Sequence, residues 1–192
     1  MDGPGVLGQV PDTLKIVVAG GFGAGKTTLV SALSEVEALH TEEEMTVAGV
    51  DVDDIEGVEG KTTTTVALDF GRITLDPTTV VYLFGTPGQR RFSHMWAELT
   101  EGALGAVVLA DTRRLSDCFD VIDFFEARRV PFVVAVNCFD GQRSYRAEDV
   151  RVALDVADPV PVLLCDARDR ASVKEVVVEL VELVLRLETS GA

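Results

Sequence analysis

The stretch VVAGGFGAGKTTLV, residues 17–30, decides the fold class of this chain. Residues 20–27 match the pattern GxxxxGK[ST] between an apolar run and a segment of helical character, which is typical of a phosphate-binding P-loop. Glycines let successive backbone N–H groups approach phosphate oxygens, and the start of the following helix adds a partial positive charge. We therefore predict that nucleotide phosphates contact Gly20, Gly21, Phe22, Gly23, Ala24, Gly25, Lys26, Thr27 and Thr28.

Two side chains of this loop have roles of their own. Lys26 is expected to bridge the β- and γ-phosphates, where it also serves catalysis, and the Thr27 hydroxyl is expected to ligate Mg²⁺. The alternative is a glycine-rich turn with an exposed lysine. The strand predicted before the loop and the helix predicted after it favour the phosphate site.

The composition predicts one globular domain. The chain has 192 residues, of which 47% are hydrophobic and 26% are charged. We expect residues 1–11 to form a disordered tail and residues 12–192 to form a single P-loop domain. No apolar run reaches the roughly 20 residues that a membrane span needs, and we find no signal peptide or lipid-anchor motif. We expect a cytoplasmic protein that associates with membranes only through partners.

The charge balance narrows the range of ligands. Seventeen basic and 32 acidic residues give a formal net charge of −15. Such a surface repels nucleic acid and anionic lipid, so a bound polyanion needs a dedicated pocket. The three cysteines show no CxxC spacing and the two histidines are isolated, so we expect reduced thiols and neither zinc nor haem.

Apolar segments alternate with helical patterns along the chain, as in a mostly parallel α/β sheet. Continuous apolar runs predict strands that are covered on both faces, and the sequence DPTT at 76–79 predicts the turn of an antiparallel hairpin. The predicted strands are 14–19, 66–75, 80–84, 103–110, 132–136 and 160–164, and helices are predicted at 26–36, 116–129 and 171–188.

The segment 35–60 departs from this order. It contains ten acidic residues, no lysine or arginine, and no clear period. A loop of this length inside a compact domain is usually functional or disordered. We expect its carboxylates to keep the loop open until Mg²⁺ with a bound nucleoside triphosphate, or a partner, orders it.

Two short motifs point to a guanine base. Asn137 and Asp140 follow a buried strand with NxxD spacing, and a carboxylate there can accept hydrogen bonds from guanine N1–H and its 2-amino group. Adenine has neither donor, so it would leave the carboxylate unpaired. Further along, Ala167 and Arg168 belong to the sequence CDAR, where the Ala167 N–H is expected to reach guanine O6.

The sequence YLFGTPGQ, residues 82–89, predicts the γ-phosphate end of the site. Gly88 is placed to offer its backbone N–H to the γ-phosphate, and Gln89 is placed to orient the attacking water. The run of threonines at 62–65 supplies a candidate Mg²⁺ ligand, and pairing with the next strand favours Thr65. A polar, β-prone edge is the alternative for the other three.

These motifs, in this order, resemble those of the Ras-like small GTPases from about residue 14 to the last helix. More narrowly, the Pro-Gly-Gln turn is similar to that of bacterial GTPases from conservon-type operons and of the related polarity GTPases. The resemblance implies a three-layer α/β fold: a six-stranded, mostly parallel sheet with one antiparallel edge strand and helices on both faces. It also implies a GTP/GDP switch that works with Mg²⁺ and a roadblock-type partner protein.

The sequence differs from the family pattern at three positions. Gly85 replaces the aspartate of DxxG, which should weaken Mg²⁺ binding unless another carboxylate, Asp69 or Asp111, substitutes. Cys138 replaces the lysine of NKxD, whose stem covers the base, with Phe139 as a candidate substitute. Phe22 stands where many relatives have glycine. We predict slow intrinsic GTP hydrolysis.

Two other functions remain open. One is an adapter that holds GTP or GDP with little hydrolysis, which Gly85 and Phe22 favour. The other is an ATP-dependent P-loop enzyme, since the same glycine spacing occurs in partitioning-type NTPases. The NxxD and DAR motifs suit guanine better.

Overall fold

The computed structural model describes residues 11–37, 39–46, 63–88, 92–141 and 143–190. Most of the expected N-terminal tail, residues 1–10, lies outside them. The described residues contain no helix with the length and apolar character that a membrane crossing requires.

The protein is built on one seven-stranded sheet with the order β2-β3-β4-β1-β5-β6-β7. Strand β3 runs antiparallel to both of its neighbours, and the other pairs are parallel. The strands are β1 (Asp12–Gly20), β2 (Leu39–Thr46), β3 (Thr63–Asp76), β4 (Thr79–Gly85), β5 (Gly105–Ala110), β6 (Phe132–Asn137) and β7 (Val162–Cys165). The six strands from β3 to β7 in this order confirm the predicted mostly parallel sheet with one antiparallel strand. The predicted edge position of that strand is wrong, because β2 pairs with the other side of β3 and makes it an inner strand of a seven-stranded sheet.

Strand β2 is the strand that the sequence did not predict, and helices α2 (Met95–Thr100) and α4 (Ala147–Ala153) were not predicted either. Strand β2 pairs with β3 from Leu39 opposite Phe70 to Thr46 opposite Thr63. It lies at the sheet edge and its sequence, LHTEEEMT, is mostly polar, so it lacks the apolar alternation that marks a strand. Within the acidic segment 35–60, residue 38 and residues 47–60 lie outside the described residues.

Helices cover both faces of the sheet, as predicted. They are α1 (Lys26–Leu33), α2 (Met95–Thr100), α3 (Phe119–Arg128), α4 (Ala147–Ala153) and α5 (Arg170–Ser190). Helix α1 ends three residues before the predicted position. Ser34 is extended there, its hydroxyl accepts the Arg72 N–H at 3.2 Å, and Glu35 donates its N–H to the Arg72 carbonyl at 2.8 Å. These bonds turn the chain towards β3.

The core consists of two apolar layers separated by the sheet. In β1, Ile16 and Val18 face the layer beneath α1 and α5, whereas Val17 and Ala19 face the layer beneath α3, and all four are fully buried. The central strands are therefore covered on both faces, as expected for parallel strands. Because the parallel strands point the same way, the loops after β1, β4, β5, β6 and β7 meet at one edge of the sheet, which is where ligands bind in this class of fold.

Candidate functional site

The glycine-rich loop after β1 forms one wall of a cavity of 370 Å³. Gly25 adopts φ +105° as α1 begins, and a Cβ at this position would lie 2.6 Å from the Asn137 Nδ2 atom. Only glycine satisfies both the backbone angle and this close approach. The cavity is lined by Phe22, Gly23, Gly25, Lys26, Thr27, Thr28, Asp69, Thr86, Pro87, Gly88 and Phe92.

Lys26 lines this cavity, and the residue as a whole is 8% exposed. It donates to the carbonyl oxygens of Gly20 at 2.9 Å and Gly21 at 2.7 Å. Burial lowers the pKa of Lys26 from 10.5 to about 8, against the opposing effect of the Asp69 and Asp117 charges. The ammonium is thus held by neutral carbonyls, which an anionic ligand can replace.

A buried carboxylate supports the Thr27 hydroxyl. Thr27 Oγ1 donates to Asp69 Oδ2 at 2.7 Å, and Asp69 is 7% exposed. Asp69 on β3 stands opposite Gly85 on β4, where a Cβ would lie 2.8 Å from the Asp69 Oδ2 atom. The glycine at 85 therefore leaves the space that the Asp69 carboxylate occupies.

These oxygens form a fitting set for Mg²⁺. A hydroxyl and a carboxylate beside a phosphate pocket are the hard donors that this ion prefers, and it takes few protein ligands. The other candidate carboxylate, Asp111, is engaged elsewhere by Arg113. Thr65 pairs with Glu44 in the sheet, and its side chain is outside the described part of the structure.

The turn after β4 packs directly on the phosphate loop. A Cβ at Gly88 would lie 2.6 Å from Lys26 Nζ and 2.9 Å from the Gly21 carbonyl oxygen. Thr86 is 3% exposed, and its hydroxyl has no hydrogen-bond partner among the described residues. Gln89, the predicted water-orienting residue, lies outside the described residues. Phe22 is 63% exposed beside the cavity.

At the other end of the loop, Asn137 joins three segments. Its Nδ2 donates to the Ala24 carbonyl at 2.8 Å, and its Oδ1 accepts the Ala167 N–H at 3.2 Å. Asn137 is 6% exposed, so it acts inside the protein and ties the phosphate loop to the loops after β6 and β7. The Ala167 N–H, predicted to reach a base, is used for this internal bond here.

Asp140 and Arg168 meet beside Asn137. The Asp140 side chain is 80% exposed and accepts a hydrogen bond from Arg168 Nη1 at 3.0 Å. Arg168 also binds Asp166, and its hydrogen bonds lower the pKa of that carboxyl group. The structure therefore brings all four residues of the predicted base site together, with the Asp140 carboxylate facing outward.

The sequence also matches a known protein family. Residues 18–186 match the family described as "Conserved hypothetical ATP binding protein". The chain belongs to this family of P-loop proteins. One similar protein is the uncharacterised protein MJ1339 of Methanocaldococcus jannaschii. The two sequences are 30% identical over 131 residues, which cover 67% of this chain and 72% of the relative.

Solved structures with the same fold include G domains of iron transporters. The G domain of T. maritima FeoB superposes with a TM-score of 0.60 at 16% identity over 90% of this chain and 99% of that one. The FeoB G-domain from Methanococcus jannaschii gives 0.59 at 16% identity over 90% and 98%. The longer T. maritima FeoB cytosolic domain in GDP form I gives 0.63 at 17%, and this chain spans 64% of it. At such identities the likeness concerns the fold.

The sequence of this member of the P-loop family indicated Asp69 as a candidate carboxylate for the Mg²⁺ site, but it did not show that Asp69 lies beside Thr27. The available signal was its phase in β3, where Asp69, Gly71 and Ile73 share the buried face. Two further residues were missed. Arg113 lies over the Phe139 ring. Asp117 packs against the phosphate loop, because a Cβ at Gly21 would lie 2.8 Å from the Asp117 Oδ2 atom. Neither belongs to a recognisable spacing pattern.

Proposed function

We propose that this protein is a small GTP-binding protein that acts as a GTP/GDP-controlled switch with slow intrinsic hydrolysis. The observation that carries this proposal is the exposed Asp140 carboxylate beside Asn137, which itself binds the phosphate loop. Hydrogen bonds thus connect the phosphate loop to the segment that carries this carboxylate. The description of the family names ATP, so the identity of the base is the point to test.

The choice of guanine rests on hydrogen-bond chemistry. A carboxylate accepts from two donors on one edge of guanine, and adenine presents no matching pair. Discrimination that depends on leaving a polar group unpaired is strong, commonly several orders of magnitude. Arg168, which holds Asp140 here, would have to yield part of this contact when the base binds.

The phosphate end has the residues that binding and hydrolysis need. Lys26 supplies positive charge and Gly88 lies against it. Thr27 and Asp69, together with Thr65, would hold Mg²⁺, which offsets the charge of the phosphate oxygens. We assign to Gln89 the orientation of the attacking water.

Slow hydrolysis follows from the position of Phe22. Its exposed ring stands at the mouth of the cavity, where it restricts access of a water-orienting side chain or a partner's arginine. Hydrolysis would then depend on a partner, and release of the switch segments would change that partner's affinity. A roadblock-type protein remains our candidate for this role.

An adapter that holds nucleotide without turnover is the second candidate. The same exposed Phe22 ring favours it. Gly85 is not an argument for the adapter, because the Asp69 carboxylate reaches the Thr27 hydroxyl from the neighbouring strand.

Calorimetric titration with GDP and ADP, in the presence of Mg²⁺, tests the choice of base. We expect GDP to bind at least about a hundredfold more tightly than ADP. Asp140→Asn replaces an acceptor with a donor, so this variant should lose GDP and gain affinity for xanthosine diphosphate, whose 2-oxo group accepts. Glu182→Gln, an exposed carboxylate that pairs with Arg186 on α5, is the matched control and should behave as wild type. Equal or tighter ADP binding would refute the proposal.

A further inference from the structure

The residue after Asn137 cannot cover a bound base. Cys138 stands where the NKxD pattern has a lysine, and it is 6% exposed. Its thiol points to the Val136 carbonyl oxygen, with a separation of 3.6 Å, and therefore into the protein. A base held by Asp140 would lack a covering side chain from this position.

A different cation stands close by. The Arg113 guanidinium lies over the Phe139 ring, with its carbon 3.9 Å from the ring centroid. Asp111 fixes this guanidinium, because its Oδ1 accepts from Nε at 2.9 Å and its Oδ2 accepts from Nη2 at 2.7 Å. The Arg113 backbone N–H donates to the same carboxylate at 2.9 Å.

The Arg113 side chain remains largely open to solvent. It lies over the Phe139 ring and is still 64% exposed. A guanidinium is planar and weakly hydrated, so its exposed face can stack on an aromatic base. Phe139 cannot do this with the face that Arg113 already covers.

Topology puts this stack at the base end of the site. Arg113 follows β5 and Phe139 follows β6, and these adjacent parallel strands end at the same edge of the sheet. Asp140 is the next residue after Phe139. The hydrogen bonds that the guanidinium donates to Asp111, with a smaller contribution from the Asp140 charge, raise the pKa of Arg113 above its ordinary value.

We propose that Arg113 stacks on the face of the bound base and replaces the lysine that position 138 lacks, with Phe139 as its support. This inference rests on the proposed function and names a further base-binding residue of the same site, one that adds affinity for the face of the base. Because Asp111 and Phe139 hold the guanidinium in place before binding, little side-chain entropy is lost when the base arrives.

Stacking and edge recognition have different signatures. A guanidinium on the face of a purine contacts the ring system, so its loss should weaken GDP and inosine diphosphate by the same factor. Asp140 reads the edge, where inosine lacks the 2-amino group, so a change at Asp140 should alter the ratio of the two affinities.

The experiment is a calorimetric titration of both nucleotides, with Mg²⁺, into the whole chain and its variants. Arg113→Ala should lower both affinities about tenfold and leave their ratio unchanged. Arg113→Lys keeps the charge without the planar face, so it should recover only part of the loss. Arg186→Ala, an ion-paired and 52% exposed arginine on α5, is the control and should match wild type.

Three results would overturn the inference: unchanged affinities in Arg113→Ala, full recovery in Arg113→Lys, or a changed ratio of the two affinities in Arg113→Ala. If Arg113→Ala proves unstable because Asp111 is buried, Arg113→Gln keeps a donor to Asp111 and the same comparison applies. Wild-type protein that binds neither nucleotide would refute the proposed function itself, which separates the two failures.

Discussion

The buried Lys26 should make nucleotide affinity depend on pH. Its pKa of about 8 reflects burial, and a bound phosphate favours the charged ammonium. About nine-tenths of the free protein carries this charge at pH 7, and about one-tenth carries it at pH 9. If only the charged form binds well, GDP affinity falls about tenfold over this interval, since the deprotonated protein must first take up a proton.

Calorimetry in two buffers of different ionisation enthalpy measures that proton directly. At pH 9 the observed heats should differ between buffers by close to one proton taken up per GDP bound, and at pH 7 they should nearly coincide. Lys26→Met should bind more weakly and lose the dependence on pH. A wild-type affinity that stays constant from pH 7 to 9, with no proton taken up, would refute the assignment of a buried lysine to the phosphate site.

The same lysine sets a pH dependence of stability in the nucleotide-free protein. The pKa of Lys26 is about 8 in the folded protein, compared with its ordinary value of 10.5. Burying the charged ammonium therefore lowers the free energy of unfolding by its full amount below pH 8, and this loss of stability disappears as the pH rises to 10.5. The cost is on the order of 3 kcal/mol. Lys26→Met should therefore be more stable than wild type at pH 7, with a difference that shrinks above pH 8 in urea unfolding.

Three further predictions concern the carboxylate, the linking amide and the water-orienting residue. Asp69→Ala should weaken Mg²⁺-dependent GDP binding, and Gly85→Asp alone should weaken it because the new side chain crowds the Asp69 carboxylate. The double variant should bind better than either single variant, because the aspartate introduced at position 85 would then supply the carboxylate that Asp69 supplies in the wild type. Additive losses in the double variant would contradict this. Asn137→Ala leaves the buried partners of both its hydrogen bonds unpaired and should cost about 3 kcal/mol, or roughly 6–12 °C in Tm by calorimetric scanning. Gln89→Ala should slow single-turnover phosphate release about tenfold or more, and equal rates would favour the adapter.

The sequence was sufficient for the elements that have a strong local signature. The P-loop has a fixed motif, the buried strands β5 and β6 are continuous apolar runs, and the long helix α5 has a helical period. The structure has all of them close to the predicted positions. Strand β2 was missed because its pairing relies on backbone hydrogen bonds with one neighbour, which leave no apolar pattern in LHTEEEMT.

The candidate site was less accessible to sequence reasoning where partners come from different strands. Asp69 can stand in for the aspartate that the family pattern has at position 85 because the antiparallel register sets it opposite Gly85. No local spacing in the sequence encodes that register. Likewise, Arg113 reaches Phe139 only because β5 and β6 are adjacent. The NxxD pattern located Asn137, whereas its bond to the Ala24 carbonyl needed the folded loop.

The most direct test of guanine recognition is a competition on the protein itself. The purified chain is incubated with Mg²⁺ and equimolar GDP and ADP, separated from free nucleotide, denatured, and the released nucleotide is identified by mass. Recognition through Asp140 predicts that guanine nucleotide is recovered in at least about hundredfold excess. Recovery of adenine nucleotide in equal or greater amount would contradict it.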